Sequence, residues 1–522
     1  MTVGQTSEGL VVLVGAGAGQ EQLATREAVS WISRAEIVVY DRLACPALLG
    51  LAPPSAERID AGKRAGGCGP DQGQIIEILI SRARAGRLVV RLKGGDPLIF
   101  GRGGEEADAL AAAGVPYRIV PGVTAAAVAA AYAGIPLTDR RCASSVAIVT
   151  GRQDPAGEAG ETNWQALAGI DTVVIYMGVG ALGEVASRLI AAGRDARTPA
   201  AAVSSAGSSR QRTITAPLGE LPAATEQAGL APPAVVIVGE VVNLRERIAW
   251  FEKLPLFGRT VVTTRPAGQS AELRARLVEH GAGVIEAPAI EIAEPADPSA
   301  VDEALRQAGQ FDLVAFTSVN GVEAFVRACR RLGGDGRMLG GSKVAAVGAA
   351  TAGALRRHFI EPDVVPARFT TAALAEAVIS AGDVTGKRIL LARAASAEPD
   401  LATRLRQAGA RVEEVAFYRT AAAAALPGEA VGALRDRRVD WITFTSRSTV
   451  DNFLALLAEA GLDAREAMAP PVRLAAIGPV TAGAVRSAGF SPAAVAEEHT
   501  ADGLVKAILA CPTPPSATTG DG

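Results

Sequence analysis

The sequence has few of the side chains that hold metal ions. Its 522 residues include five cysteines and three histidines, which are scattered along the chain with no CxxC pair. Structural zinc sites need about four such ligands at short spacings, so we expect no metal. Isolated thiols are typical of a reducing compartment, and we therefore predict a cytoplasmic protein.

Long apolar runs and an excess of basic charge are also missing. The opening segment, MTVGQTSEGLVVLVGAGAG, lacks a basic start, and its apolar run is shorter than the ~20 residues that span a bilayer. The formal net charge of −3 is unlike the basic excess of nucleic-acid-binding proteins. We therefore expect no membrane segment and no nucleic-acid partner.

What the sequence does contain is a regular alternation of two kinds of segment. Short β-branched runs such as Leu10–Val14, Val146–Thr150 and Leu313–Thr317 alternate with helical stretches rich in Ala, Leu and Arg. This alternation predicts an α/β architecture with mostly parallel sheets. The chain is too long for one hydrophobic core. The predicted domains are residues 1–254, residues 255–511 and a disordered Pro/Ser/Thr-rich tail over residues 512–522.

The second part of the chain contains an internal repeat. GRTVVTTRP from Gly258 matches GKRILLARA from Gly386, and DLVAFTSVNGVEAF from Asp312 matches DWITFTSRSTVDNF from Asp440, each at an offset of 128 residues. A third pair of blocks, VAAVGAATAG and LAAIGPVTAG, follows in the same order. The repeat predicts a duplicated α/β unit, and duplicated domains commonly bind a ligand in the cleft between them.

Glycines mark the first part of the chain. The strand LVVLVG runs into glycines 15, 17 and 19, which let the backbone turn tightly and approach a ligand closely. A dinucleotide-binding fingerprint would need a sixth-position glycine where Gln20 stands. A nicotinamide oxidoreductase is nevertheless the main enzymatic alternative on this motif.

A second glycine-rich block, VRLKGGDPLIFGRGGEEADAL, begins at Val90 and holds five glycines within eleven residues. This density excludes the interior of a regular strand or helix and predicts a shaped loop. Arg91, Lys93 and Arg102 lie in or beside the loop, and we expect their charge to bind substrate carboxylates. A nicotinamide enzyme leaves this block unexplained.

Seven blocks of the first part occur in the order of one enzyme family. VGAGAG, VVYDRLA, GKRAG, RLKGGDPLIFGRGGEEA, PGVTAA, VIYMG and VVIVGEVVNLRERIAWF resemble the uroporphyrinogen-III C-methyltransferases over residues 9–253. The resemblance implies two α/β domains with S-adenosylmethionine bound in the cleft between them, and a homodimer formed through this part. It also implies double methylation of uroporphyrinogen III to precorrin-2, with methylation of a later precorrin as the alternative.

The resemblance assigns roles to individual residues. Asp41 in VVYDRLA is implied as the general base, with a helix-cap or turn aspartate as the structural alternative. Lys63 in GKRAG is implied as a second catalytic residue, whose cation suits a substrate carboxylate. The sequence departs from the family pattern at Ala18, Gln20 and Ala206. The implied methyl-donor pocket consists of Gly15, Gly17, Ala18, Gly94, Gly95, Asp96, Ile99, Thr124, Ala125, Met177 and Ala206.

The repeated part resembles uroporphyrinogen-III synthase over residues 256–510, through TTRP, two FTS blocks, two TAG turns, EEVAFYRT and EEHTADGL. The resemblance implies two flavodoxin-like domains joined by a two-stranded connection. The first domain would be built from both ends of this part and the second from its middle. The implied reaction is cyclisation of hydroxymethylbilane to uroporphyrinogen III, and a non-catalytic tetrapyrrole-binding module is the alternative.

One tyrosine and four hydroxyl residues are the site candidates of the repeated part. Tyr418 in AFYRT is implied as the catalytic group, with a sheet-edge tyrosine as the structural alternative. Ser318, Thr351, Ser446 and Thr481 lie near predicted helix starts, where hydroxyls and free N–H groups can hold substrate carboxylates. Simple N-capping is the alternative for Thr351 and Thr481.

Overall fold

The computed structural model describes residues 9–41, 46–62, 69–151, 162–395, 397 and 399–512. The chain divides into two compact units, which we call the first and second halves; the first comprises residues 1–260 with 277–283, and the second comprises the rest. The boundary expected after residue 254 lies six residues before this division and stays a prediction. Lys63 and the tail beyond residue 512 lie outside the described residues.

The first half opens with an entirely parallel five-stranded sheet in the order β3-β2-β4-β1-β5. Its elements are β1 (Leu10–Gly15), α1 (Arg26–Ile32), β2 (Ile37–Tyr40), α2 (Pro46–Leu49), β3 (Glu57–Asp60), α3 (Gln72–Arg84), β4 (Leu88–Lys93), α4 (Gly103–Ala112), β5 (Tyr117–Val120) and α5 (Ala125–Ala133).

Strand β1 is apolar throughout because both faces of the sheet are covered. Val12 and Val14 pack in one core with α1, whereas Val11 and Leu13 pack in another with α3 and α4. All four side chains are fully buried. A strand buried on both faces reads as a continuous hydrophobic run, as LVVLVG does.

The second sheet of the first half has the order β6-β7-β10-β8-β9 and is mixed. Only β6 and β7 pair in parallel within it, so the expectation of mostly parallel sheets is wrong here. The segment between β8 and β9 is too short for a parallel crossover, so these strands form a hairpin. The elements are β6 (Val146–Thr150), α6 (Trp164–Ala168), β7 (Thr172–Tyr176), α7 (Leu182–Ala191), β8 (Pro199–Ser204), β9 (Arg212–Pro217), α8 (Leu221–Gln227), β10 (Ala234–Val238) and α9 (Arg245–Ile248).

The second half contains ten strands and eleven α-helices among the described residues. The strands are β11 (Thr260–Thr263), β12 (Gly283–Glu286), β13 (Ile290–Ala293), β14 (Leu313–Phe316), β15 (Lys343–Ala346), β16 (Arg388–Ala394), β17 (Arg411–Ala422), β18 (Trp441–Phe444), β19 (Arg473–Ala476) and β20 (Ala494–Val495). The helices are α10 (Ala271–Glu279), α11 (Pro298–Arg306), α12 (Val319–Arg331), α13 (Ala349–Arg357), α14 (Thr371–Ser380), α15 (Asp400–Gln407), α16 (Gly428–Arg435), α17 (Arg447–Glu459), α18 (Ala464–Ala467), α19 (Pro479–Ser487) and α20 (Ala501–Ala510).

Two sheets organise these strands. The sheet β12-β11-β18-β19-β20 uses both ends of the half and, numbered within itself, has the flavodoxin order 2-1-3-4-5. The sheet β13-β17-β16-β14-β15 uses the middle of the half. The antiparallel pair β13 and β17 carries the chain into the middle domain and back again. The predicted crossing of the chain and the two-stranded connection are therefore confirmed.

The sequence repeat maps onto equivalent strands of the two sheets. β11 and β16 carry the first repeated block, β18 and β14 the second, and β19 and β15 the third. They occur in the orders β11-β18-β19 and β16-β14-β15. The same blocks thus occupy the same places in both sheets, which confirms the predicted duplication.

Side chains cap several helix starts. Asp71 accepts a hydrogen bond from the Gln74 amide while the Gln74 side chain accepts one from the Asp71 amide, which is a capping box at α3. Ser318 caps α12 and Ser446 caps α17 in a similar way. In the part of the chain that is described, no helix has the length and apolar composition needed to cross a bilayer.

Candidate active sites

Several of the predicted methyl-donor residues lie in loops at the carboxyl edge of the first sheet. The Gly17 amide donates to the Gly95 carbonyl at 3.1 Å, and the Gly95 amide donates to the Gly17 carbonyl at 2.8 Å. The loops after β1 and β4 are thereby joined. Asp41 directly follows β2, which ends at the same edge. Ligands of parallel α/β sheets bind at this edge.

Three glycines of these loops are in close backbone contact. A Cβ atom on Gly122 would lie 2.1 Å from the carbonyl oxygen of Gly95 and 2.8 Å from the Cα of Gly15. Asp96 ties the same loops together, because its two carboxylate oxygens accept hydrogen bonds from the amides of Gly122 (3.0 Å) and Leu98 (2.8 Å). Asp96 is therefore satisfied by the backbone, and it shapes the loop.

The second sheet contributes a tyrosine that the sequence analysis missed. The Tyr176 hydroxyl lies 2.5 Å from Oγ1 of Thr124 and accepts a hydrogen bond from the Ala126 amide at 2.6 Å. Its ring centroid is 5.4 Å from that of Phe100. Tyr176 directly precedes Met177, which is a predicted site residue, and its position in the same motif could have identified it from the sequence. The contact joins β7 to the start of α5.

Strained backbone is concentrated around these loops. Six described non-glycine residues have positive φ, and four of them are Phe100, Arg102, Met177 and Ser205, with φ between 49° and 58°. Such strain persists where the surrounding structure enforces it, frequently at functional sites. The backbone of Ala206 reaches the same place, since its carbonyl oxygen would lie 2.6 Å from a Cβ on Gly19. Four other residues of the predicted donor pocket are half-buried: Ala18, Ile99, Thr124 and Ala125.

A buried charge cluster lies behind Asp41. Arg91 donates to Asp41 Oδ1 at 2.5 Å and to Glu106 Oε1 at 3.2 Å, and the Lys93 ammonium donates to Glu106 Oε1 at 2.8 Å. The side chains of Arg91 and Lys93 are 2% exposed. Burial, with the neighbouring Arg91 charge as the second cause, lowers the pKa of Lys93.

These contacts correct one expectation. Arg91 and Lys93 do not face substrate carboxylates, because protein carboxylates already engage them in the interior. Glu106, which the sequence analysis missed, is their shared partner. Of the three predicted cations only Arg102 stays at the surface, half-exposed and paired with Glu105 at 2.6 Å.

In the second half, the predicted site residues Tyr418 and Ser318 contact each other through their hydroxyl groups. The Tyr418 hydroxyl lies 2.9 Å from Oγ of Ser318, which also accepts a hydrogen bond from the Gly321 amide at 3.0 Å. The register of β16 and β17 shifts next to Tyr418, where it pairs with Ala394. The ring is 5% exposed, so Tyr418 is mainly a buried residue with its hydroxyl directed at Ser318.

The duplicated position differs. Ser446 matches Ser318 in the repeat and caps α17, but its hydroxyl lies 2.9 Å from that of Ser448. Tyr418 is the only tyrosine beyond residue 254, so no equivalent tyrosine exists. The duplication has therefore produced one centre with a phenol and one without.

Thr351 and Thr481 are placed differently from expectation. They lie inside α13 and α19, whose cap residues are Gly348 and Gly478, and they are 3% and 4% exposed. Their hydroxyls are not exposed at the surface, and the two residues are not N-caps either.

A further contact lies near the start of α12. The side chain of Gln269 donates a hydrogen bond to the side chain of Asn320, which joins the region after β11 to the start of α12.

Two family models match the chain. The model of tetrapyrrole (corrin/porphyrin) methylases matches residues 10–222, and that of uroporphyrinogen-III synthase HemD matches residues 271–506. The porphyrin biosynthesis protein HemD of Ruminiclostridium josui is 33% identical over 502 residues, which are 96% of this chain and 98% of that protein. The chain belongs to this HemD family.

As a HemD-family chain it is a bifunctional enzyme. Its first half is a uroporphyrinogen-III C-methyltransferase and its second half a uroporphyrinogen-III synthase, as the sequence predicted. The siroheme synthase of Stutzerimonas stutzeri is 48% identical over 252 residues, which are 48% of this chain and 54% of that protein. The uroporphyrin-III C-methyl transferase from Thermus thermophilus, complexed with S-adenyl homocysteine, is 40% identical; the match covers 45% of this chain and 100% of that one, with a TM-score of 0.40.

Proposed function

We propose that the second half cyclises hydroxymethylbilane to uroporphyrinogen III, and that the first half methylates this product twice with S-adenosylmethionine to give precorrin-2. The observation that carries the proposal is the position of Asp41. Its carboxylate is 31% exposed at the carboxyl edge of the first sheet, where the glycine loops after β1 and β4 meet.

The residues at this edge fit a bound S-adenosylmethionine. The close-packed glycines bring backbone groups to the edge, and Leu98, Phe100 and Met177 expose apolar surface there (57%, 43% and 52%) that suits the adenine ring of the donor. When bound, the donor supplies an electrophilic methyl group.

Asp41 carries the chemistry that the protein itself provides. Methylation of a pyrrole carbon leaves a cationic ring, which a neighbouring carboxylate stabilises. The same carboxylate can accept the proton that the ring then loses. Arg91 holds Oδ1 of Asp41, and no hydrogen bond among the described residues occupies the second oxygen, to which we assign these tasks.

Tyr418 is the corresponding group of the second half. Cyclisation begins with loss of water from the linear substrate, and the phenol can donate a proton to the departing oxygen. The hydroxyl of Ser318 orients the phenol. Arg265, which follows β11, is half-buried, and burial lowers its pKa although Glu272 opposes the change. We assign this half-buried guanidinium a role in binding substrate carboxylates, since guanidinium groups pair well with carboxylates.

We also propose that the enzyme is a cytoplasmic homodimer assembled through its first half. An apolar surface groove supports the dimer; its lining includes Ala127, Ala131, Leu137, Ile248 and Trp250, of which Ile248 and Trp250 are about half exposed. Light scattering on the full chain tests this proposal, and a monomeric mass would overturn it.

The experiment that tests the reaction sequence uses the full chain under anaerobic conditions. Hydroxymethylbilane and S-adenosylmethionine are supplied together, and products are followed by absorbance and mass. We expect a doubly methylated product of the type III isomer. If only supplied uroporphyrinogen III is methylated, the second half is a non-catalytic binding module. If supplied uroporphyrinogen III is not methylated, the first half acts on a later precorrin.

A further inference from the structure

Four ionisable side chains form one contact chain that begins at the proposed active site and ends in the interior. Asp41 contacts Arg91, Arg91 contacts Glu106, and Glu106 contacts Lys93. Exposure falls along this chain from 31% at Asp41 to 2%, 0% and 2%. Two carboxylates face two cations, so their formal charges cancel.

The geometry leaves Arg91 little freedom. Its Nη2 binds Asp41, its Nε binds Glu106, and its Nη1 donates to the carbonyl of Val39 at 3.4 Å. The planar guanidinium thus binds one oxygen of Asp41 from the buried side of the carboxylate. Glu106 in turn uses Oε1 to accept hydrogen bonds from Arg91, Lys93 and Gln72 (3.1 Å).

Glu106 is unusual for a purely structural residue. It lies on the helix α4, with no exposed surface, and its second oxygen, Oε2, is buried without a hydrogen-bond partner among the described residues. A buried carboxylate carries a desolvation cost. What this cost secures is the position of Arg91 and Lys93, both of which donate to Glu106 Oε1.

We propose that Glu106 is a positioning residue of the methyltransferase, acting on Asp41 through Arg91. This inference rests on the proposed function of the first half. Without the Glu106 charge, the two buried cations Arg91 and Lys93 face a single carboxylate, that of Asp41, and the Nε contact that orients Arg91 is weakened. Asp41 is then less precisely placed and sits in a more positive field, which weakens it both as a base and as a partner for a cationic ring.

The test compares full-length variants by steady-state methylation of supplied uroporphyrinogen III. We expect Glu106→Gln, which keeps the shape and removes the charge, to lower kcat by about 10- to 100-fold. We expect KM and the affinity for S-adenosylhomocysteine, measured by calorimetry, to change less than threefold or so. The double variant Glu106→Gln/Lys93→Met restores charge balance, and we expect part of kcat to return.

Two further variants make the result decisive. Arg91→Lys keeps the charge but cannot bind both carboxylates, so it should show the same loss of kcat even if Glu106→Gln does not fold. Glu57→Gln is the matched control, because among the described residues the Glu57 carboxylate pairs with Arg82 alone (2.8 Å), and both side chains are half-exposed. An unchanged kcat in the Glu106 or Arg91 variant, with active wild type, overturns this inference alone; inactive wild type overturns the proposed function instead.

Discussion

The phenol oxygen of Tyr418 lies 2.9 Å from Oγ of Ser318, although 100 positions separate the two residues in the chain. Ser318 is also the cap of α12, so the helix start sets its position. The equivalent Ser446 has no tyrosine partner. A duplicated fold thus carries a single, asymmetric centre.

This asymmetry predicts the effect of Tyr418→Phe on cyclisation. The ring lies in the core, so the variant should fold, while the lost hydroxyl should lower the rate of uroporphyrinogen III formation by about 10²-fold. Stopped-time assays should also show more of the isomer that forms without inversion of the last ring. Tyr117→Phe, in the first half, is the control. A wild-type rate in Tyr418→Phe would make Tyr418 a core residue only.

The position of Asp41 predicts a selective loss of methylation. Asp41→Asn keeps an oxygen for Arg91 but removes the charge that stabilises a cationic ring, so the methylation rate should fall about 10²- to 10⁴-fold. Methylation is measured with supplied uroporphyrinogen III, and cyclisation by the same preparation serves as the internal control. Equal losses of both activities would point to a folding defect rather than to a catalytic role.

The glycine contact at the donor loops predicts a binding defect. An added Cβ at Gly122 would meet the Gly95 carbonyl at 2.1 Å, and backbone atoms can escape only if the loop moves. Gly122→Ala should therefore weaken S-adenosylhomocysteine binding by about tenfold or more, a change of roughly 1.4 kcal/mol. Gly183→Ala in α7 meets no atom within 4 Å and should bind as the wild type does. Calorimetry distinguishes the two, and equal affinities would place the donor elsewhere.

Burial predicts an inert thiol at Cys329. It is 1% exposed, and burial raises its pKa from 9.0 to about 11. At pH 8 its thiolate fraction is about 10⁻³, compared with about 10⁻¹ for an ordinary thiol of pKa 9.0, and the thiolate is the reactive form. Iodoacetamide should therefore alkylate Cys329 at least about 100-fold more slowly in the native chain than in urea, as read by peptide mass. Half-buried Cys142 is the comparison, and similar rates at both would contradict the burial of Cys329.

The raised pKa of Cys329 also makes the stability of the fold depend on pH. Between pH 9.0 and about 11 the unfolded thiol has lost its proton while the folded thiol keeps it. The folded state then binds more protons, so the contribution of Cys329 to the free energy of unfolding falls as the pH rises through this interval. Cys329→Ser should flatten that part of the profile.

Much of the fold could be predicted because its signals are local. Uniformly apolar β1, the glycine loops after β1 and β4, and the nearly constant offset of the repeated blocks are all visible in the sequence. Parallel strands also end at a common edge, and Asp41 and Gly95, which follow the parallel strands β2 and β4, accordingly lie at the same edge.

The remaining features depend on which side chains meet across the fold. Arg91 reaches Asp41 over 50 positions and Glu106 over 15, and no local pattern distinguishes these contacts from binding to a ligand. The same holds for Thr351 and Thr481, which occupy helix starts in the sequence but point into the interior. The antiparallel strands of the second sheet were missed because alternation alone does not set strand direction.

The connection through β13 and β17 bears on how the enzyme is made. The middle domain of the second half is a continuous stretch of chain, whereas its partner sheet needs β11 and β12 from before that stretch and β18 to β20 from after it. During synthesis the middle domain can therefore fold first, while β11 remains unpaired with its neighbour β18. Until about 150 further residues have left the ribosome, those two early strands present an unpaired edge, the kind of surface that chaperones protect.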